Sequence, residues 1–263
     1  DTTNVGDPGG TATPDELAVE EPLEIRLDDH LVATTMRTPG NDFELAVGWC
    51  HSEGLLAGVP VTTVRYCATG SALDTEYNVV TVETGGVAPP PAATAQRLTT
   101  ATTSCGLCGS TTIATLTARL TPVTRTTRWS PDVLATVPER VREAQRLFAT
   151  TGGVHAAAAF DADGTVVLVR EDIGRHNAVD KVVGRLLLDH ELPAGGRAVF
   201  VSGRASFELV AKAWAAGFET MLAVSAPSSL AVATAQEAGI DLFGFVRDGA
   251  MNAYTDGARS LRA

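Results

Sequence analysis

The chain has 263 residues, 44% of them hydrophobic, enough to bury a sizeable core in one large domain or two closely joined lobes. A formal net charge of −11 argues against a broad nucleic-acid footprint, because neutralising phosphates takes a basic surface. No apolar run approaches the roughly 18 residues that a membrane span needs, and no basic-then-apolar leader opens the sequence, so a cytoplasmic protein with reduced thiols is expected.

Residues 1–16 are small, polar and rich in Gly and Pro, and are expected to form a disordered tail. Residues 17–100 read as a smaller N-terminal α+β lobe, 101–115 as a mobile loop, and 116–263 as a larger α/β domain. In "EPLEIRLDDHLVATTMRTP" two alternating runs flank Asp28-Asp29-His30, which predicts a β-hairpin. Asn41-Asp42 can cap a helix over "FELAVGWCHSEGLL", ended near Gly58-Val59-Pro60. Two strand-like runs, "VTTVRYCAT" and "EYNVVTVET", lead to the break "GGVAPPPAAT". Ser130 ahead of Pro131 then predicts a helix start at "PDVLATVPERVREAQRLF", with Pro138 kinking or splitting it.

From residue 152 the pattern alternates between strand and helix. "HAAAAF" and "TVVLVRE" flank the turn Asp161-Ala162-Asp163-Gly164 and predict a second hairpin. "NAVDKVVGRLLLDH" has apolar positions at helical spacing. Three strands, "RAVFVSG", "TMLAVSA" and "DLFGFVR", alternate with the helices "SFELVAKAWAAG" and "SSLAVATAQEAG", each ended by glycine. Strands apolar on both faces and joined by single helices predict a partly parallel sheet with helices on both faces.

Ligands of such sheets bind beyond the carboxyl ends of the strands. Those ends carry Ser202-Gly203-Arg204, Ser225-Ala226-Pro227-Ser228 and Phe245-Val246-Arg247-Asp248-Gly249. The helices that begin beside Ser206 and Ser228-Ser229 would offer backbone N–H groups to a phosphate or pyrophosphate, with Arg204 and Arg247 as charge partners. The alternative is that the serines only cap their helices. Lys181 and Lys212 are the only lysines, so Arg supplies nearly all positive charge and each arginine has to be judged by its position.

The four cysteines, Cys50, Cys67, Cys105 and Cys108, are too few and too unevenly spaced for a disulfide framework. "TTSCGLCGS" holds the one C-x-x-C, open to three readings. A zinc site wants a second close pair, whereas Cys50 and Cys67 fall in an apparent helix and strand where buried thiols are ordinary core residues. A thioredoxin-like couple wants an early βαβ context, and this motif follows a Pro-rich break. A loop tip with glycines at 106 and 109 can present sulfur to more than one partner, and a helix over "STTIATL" would lower the thiol pKa.

"REDIGRHNAVDK" concentrates ionisable groups at a strand-to-helix turn. Asp172 and His176 could set each other's protonation and Asn177 could cap the helix; a local ion-pair network is the alternative. His155 opens an apolar run with no Glu two residues on, unlike the His-x-Glu of zinc deaminases.

The glycine-flanked "SCGLCG", the run "TGGVHAAAAFDADGTVVLVREDIGRHNAVDKVVGRLL", the strand end "VSGRASFELVAKA" and the tail "FGFVRDGAMNAYT" together resemble the FdhD-type formate dehydrogenase accessory sulfurtransferases, over about residues 20–260. The resemblance implies a homodimer whose larger domain has a cytidine-deaminase-like fold without deaminase chemistry. It implies a protein that accepts sulfur from a cysteine desulfurase as a cysteine persulfide and delivers it to the molybdenum cofactor of formate dehydrogenase, binding the bis-guanine-dinucleotide form. By position Cys105 matches the persulfide-bearing residue and Cys108 the assisting cysteine, while Phe245-Val246-Arg247-Asp248-Gly249-Ala250 match the cofactor-binding stretch. A nucleotide such as GDP is expected in the crevice lined by His176, Asn177, Ser202, Arg204 and Ser225. The rival is a non-catalytic scaffold that grips the molybdenum cofactor and hands it over intact.

Overall fold

The expected first hairpin forms in the computed structural model, which describes residues 14–67, 73, 75–90 and 117–260. Strand β1 (Glu21–Leu27) pairs antiparallel with β2 (His30–Arg37). The other edge of β1 pairs in parallel with β4 (Val79–Glu83), which pairs antiparallel with β3 (Thr63–Tyr66), giving the order β2-β1-β4-β3. The hairpin turn is tied to the end of β4 by the Asp28 carboxylate, which accepts from the Thr84 amide and hydroxyl, both at 2.8 Å.

Leu23, Ile25 and Leu27 of β1, at the two-residue strand period, join Val80 and Val82 in a core closed by helix α1 (Asp42–Ser52) through Leu45, Ala46 and Cys50. Asn41 occupies the cap position of α1, but in the left-handed region and with no side-chain capping bond. The helix also stops well before Gly58, because Gly54 turns left-handed and the Arg119 guanidinium donates to the carbonyls of Ser52 and Glu53.

The second sheet has six strands in the order β10-β9-β8-β7-β5-β6. β7 (Ala198–Val201), β8 (Thr220–Ala223) and β9 (Asp241–Arg247) form the expected parallel stretch, joined by α5 (Phe207–Ala216) and α6 (Ser229–Ala238). β5 (His155–Phe160) lies between β7 and β6 (Val166–Asp172), antiparallel to both. β10 (Ala250–Ala253), which the sequence reading left out, folds back on β9 around Asp248-Gly249, both at positive φ.

Both sheet faces are buried. Ala157, Val199, Val201, Met221 and Leu242 point toward α4 (Arg175–Leu188), α5 and α6, whereas Ala158, Phe160, Phe200, Leu222 and Phe243 pack with Trp129 and helix α2 (Pro131–Ala144). The parallel strands are therefore apolar throughout, as covered strands must be. Pro138 does not split the helix; Leu134, Val137 and Val141 hold one stripe of α2 on the sheet, and the break comes at Gln145, before the short α3 (Arg146–Thr151). Glycines 217 and 239 end α5 and α6 in the left-handed conformation that glycine adopts without strain.

Candidate functional site

The antiparallel insertion of β5 brings five chain segments to one end of the large sheet. His155 opens β5 opposite Asp172, the last residue of β6, while β9 ends there at Arg247 and the turns just past β7 and β8 bring Ser202 and Ser225. Backbone bonds lace the ends together: Ser202 N donates to Ala156 O at 2.9 Å, Ser225 N to Gly203 O at 3.2 Å and Phe245 N to Ser225 O at 3.3 Å.

A cleft of about 530 Å³ opens on the α2 side of these ends, lined by Pro138, Glu139, Arg142, Gln145, Phe148, His155, Ser202, Val246, Arg247 and Asp248 among others. Arg142 lies over the Phe148 ring at 5.2 Å and Arg247 over Phe245 at 5.9 Å, so cation–π contact holds both guanidinium groups at the rim. Among the described residues Arg142, Arg175, Arg204 and Arg247 have no carboxylate partner. In a chain of net charge −11, four arginines without carboxylate partners gather at one sheet end, two of them in the cleft beside the carboxylates Glu139 and Asp248.

Of the residues expected from sequence, Ser202, Val246, Arg247 and Asp248 line this cleft. Gly249 and Ala250 instead line a neighbouring depression of about 270 Å³ with Pro131 and Met251. Arg204 is exposed on the loop after β7, and Ser225 is part of the backbone lacing. His176 turns toward α5, with Nε2 2.9 Å from Glu208 Oε2 and 3.3 Å from Ser206 Oγ. Asn177 spends its amide on Met36 O (2.8 Å) and Asp172 Oδ1 (3.0 Å), away from the crevice. Cys105 and Cys108 lie outside the described residues, as do the 1–13 part of the tail and the whole of the expected loop 101–115.

Two expectations for the charged turn are corrected. The cap of α4 is Gly174, not Asn177, whose side chain is drawn across to β2. Asp172 and His176 do not pair: Asp172 is fully buried against Lys181 Nζ at 2.7 Å and accepts from Thr38 N and Gly174 N, and His176 faces Glu208. The motif's ionic density is thus mostly spent inward, where a carboxylate out of water has to be paired. Ser206 and Ser228 do cap their helices, accepting from Leu209 N at 3.5 Å and Ala231 N at 3.1 Å.

The sequence reading assigned no ligand role to three residues now at the site. Arg142 and Phe148 belong to α2 and α3, whose docking only the tertiary fold reveals. His155 is half-buried; burial, then the neighbouring Arg175 and His176, push its pKa below the ordinary 6.5, with Asp172 opposing. That shift favours the neutral imidazole. Chemically the arrangement offers arginine charge, a neutral imidazole and hydroxyls around an open cleft, a set suited to holding a phosphorylated ligand.

The FdhD/NarQ family model matches residues 18–261. The sulfur carrier protein FdhD of Streptomyces coelicolor is 49% identical over 264 residues, covering 95% of this chain and 91% of the relative. That of Mycobacterium tuberculosis is 46% identical over 259 residues, covering 92% and 90%. A crystal structure from Desulfotalea psychrophila, of a protein assigned as a formate dehydrogenase accessory protein, superposes with a TM-score of 0.74 at 20% identity, covering 98% of this chain and 96% of that one, and so shares the mixed α/β fold. With a match that runs through both sheets and the cleft, the chain belongs to the FdhD/NarQ family.

Proposed function

We propose that this protein is a sulfurtransferase that carries sulfur as a persulfide on Cys105 and delivers it to the molybdenum cofactor of formate dehydrogenase. The observation that carries the reading is family membership over 18–261 in a chain that also holds the "SCGLCG" motif; its relatives named above are sulfur carrier proteins. In this reading the donor is a cysteine desulfurase, the protein is cytoplasmic and works as a homodimer, and the six-stranded half is a cytidine-deaminase-like layer without deaminase chemistry.

The chemistry follows from two neighbouring thiols. The Cys105 thiolate attacks the terminal sulfur of the donor's persulfide, and the donor cysteine leaves as a thiolate, with no net change in oxidation state. Attack of Cys108 on Cys105 then forms a disulfide and releases the terminal sulfur as sulfide for the receiving centre. The cofactor is substrate here. Its bis-guanine-dinucleotide form would lie in the cleft and strand-end crevice, where unpaired Arg142, Arg204 and Arg247 suit pyrophosphate.

The test is co-production of formate dehydrogenase with the Cys105→Ala variant. Loss of dehydrogenase activity, with the cofactor still present in the enzyme, is expected. Normal activity would exclude the transfer role and leave the scaffold reading.

A further inference from the structure

The strand-end crevice contains an anomaly that the residues expected from sequence do not explain. Arg175, the first residue of α4, has a buried Nε with no hydrogen-bond partner among the described residues. Its obvious carboxylate, Asp172, is already saturated by Lys181, Thr38, Gly174 and Asn177. A buried guanidinium donor left without an acceptor is destabilising in the free protein, a cost that an anionic ligand would remove.

His155 stands beside it. A Cβ added to Gly203 would lie 3.6 Å from His155 Cε1 and Nδ1 and 3.9 Å from Arg175 Cδ, so one glycine of the crevice is flanked by both side chains. Ser202 Oγ accepts from Ala156 N at 2.9 Å and lies 3.5 Å from His155 Nδ1. Having accepted from Ala156 N, the hydroxyl still has its own proton to donate to Nδ1, an arrangement that places the imidazole proton on Nε2 as a donor. His155 itself lines the cleft that carries Arg142 and Arg247.

We infer that His155 and Arg175, on either side of Gly203, form an oxyanion subsite that holds a phosphate group of the nucleotide ligand. Arg175 supplies charge and an unspent N–H, and His155 supplies a neutral N–H donor fixed by Ser202. The subsite rests on the nucleotide reading of the crevice, and it assigns the binding work to two residues outside the 245–250 stretch.

The experiment is calorimetric titration of the full chain with GDP, inorganic pyrophosphate and guanosine. The variants are His155→Ala, His155→Gln, Arg175→Gln and Arg175→Lys, each with a thermal melt of the ligand-free protein. Wild type is expected to bind GDP and pyrophosphate, and His155→Ala and Arg175→Gln to weaken both by about tenfold or more, the scale of one lost charge-assisted hydrogen bond. His155→Gln, which keeps an N–H donor, should recover part of the loss, and guanosine binding should not change. GDP and pyrophosphate bound equally by wild type and all variants overturn the subsite and leave the nucleotide reading intact. Pyrophosphate binding lost in the variants, with no advantage of GDP over pyrophosphate in wild type, overturns the guanine-nucleotide reading and leaves the subsite. No binding of either by wild type overturns both. If a variant melts well below wild type, the stable partner substitution at the same position decides.

Discussion

Gly48 of α1 and Gly184 of α4 meet backbone to backbone: a Cβ on Gly48 would lie 2.7 Å from the Gly184 nitrogen and 1.9 Å from the Asp180 carbonyl oxygen. A Cβ on Gly184 would in turn lie 1.8 Å from the Glu44 carbonyl oxygen. The four-stranded sheet and the six-stranded sheet are therefore joined through two helices that touch without side chains between them. Since α4 begins at the crevice, this contact fixes the site to the rest of the fold.

Gly48→Ala and Gly184→Ala should each be strongly destabilising, by about 3 kcal/mol or more, because backbone rather than a flexible side chain occupies the space. Denaturant melts of the two variants check this. A midpoint equal to wild type in either would contradict the contact.

The second tie is electrostatic. Lys212 Nζ lies 2.8 Å from both carboxylate oxygens of fully buried Asp180, which also accepts from Ser52 Oγ at 3.0 Å. Burial drives the Asp180 pKa up and Lys212 opposes it. Lys212→Met should cost about 3–5 kcal/mol by leaving a buried carboxylate unpaired, and Lys212→Met combined with Asp180→Asn should recover much of it. A double variant no more stable than Lys212→Met would contradict this account.

How much of this could be read beforehand depended on sequence distance. The β7–β8–β9 stretch with its glycine-ended helices was legible, because each unit is local and repeats. The bonds from Thr38 to Asp172 and from Asn177 to Met36 were not, since they join residues more than a hundred positions apart and carry no periodicity. Asp248-Gly249 is a strong hairpin signal as well as the tip of a ligand-binding stretch, and the four-residue β10 behind it is too short to show a strand period of its own. His155 looked like a lone strand residue; only the placement of β5 between β6 and β7 gives it neighbours.

Glu219 gives a pH-dependent test of the fold around the sheet. Burial raises its pKa, but bonds from the Thr126 hydroxyl (2.6 Å) and the amides of Gly196 (2.7 Å), Thr127 (2.9 Å) and Thr126 (3.0 Å) outweigh burial and hold it below the ordinary 4.5. The folded state then binds this proton less readily than the unfolded chain does, so the stabilisation is complete above the ordinary value and drains away as pH falls from there toward the folded pKa. Glu219→Gln should lower stability near neutrality by about 2 kcal/mol and shrink its difference from wild type in acid. A difference independent of pH would show that the charge is not what matters.

For His155 the direction is the same but the window is higher. An imidazole resonance followed by NMR should titrate below 6.5, and the Arg175→Gln variant should move it up toward that value. A wild-type midpoint at or above 6.5 would contradict the neutral donor assigned to it.

Cys50 is fully buried in the α1 core, and burial, with Asp180 adding to it, pushes its thiol far above the ordinary range. It should resist alkylation in the folded protein and never carry sulfur, since the thiolate is the reactive form. Native-state labelling with iodoacetamide, read by peptide mass, checks this; rapid modification of Cys50 would contradict its placement.

The most direct measurement of the central claim is peptide mass spectrometry after incubation with a cysteine desulfurase and cysteine. The account predicts a gain of one sulfur atom on the peptide containing Cys105, absent from Cys105→Ala and reversed by a thiol reductant. An unmodified Cys105 under conditions where the desulfurase itself is persulfidated would contradict it.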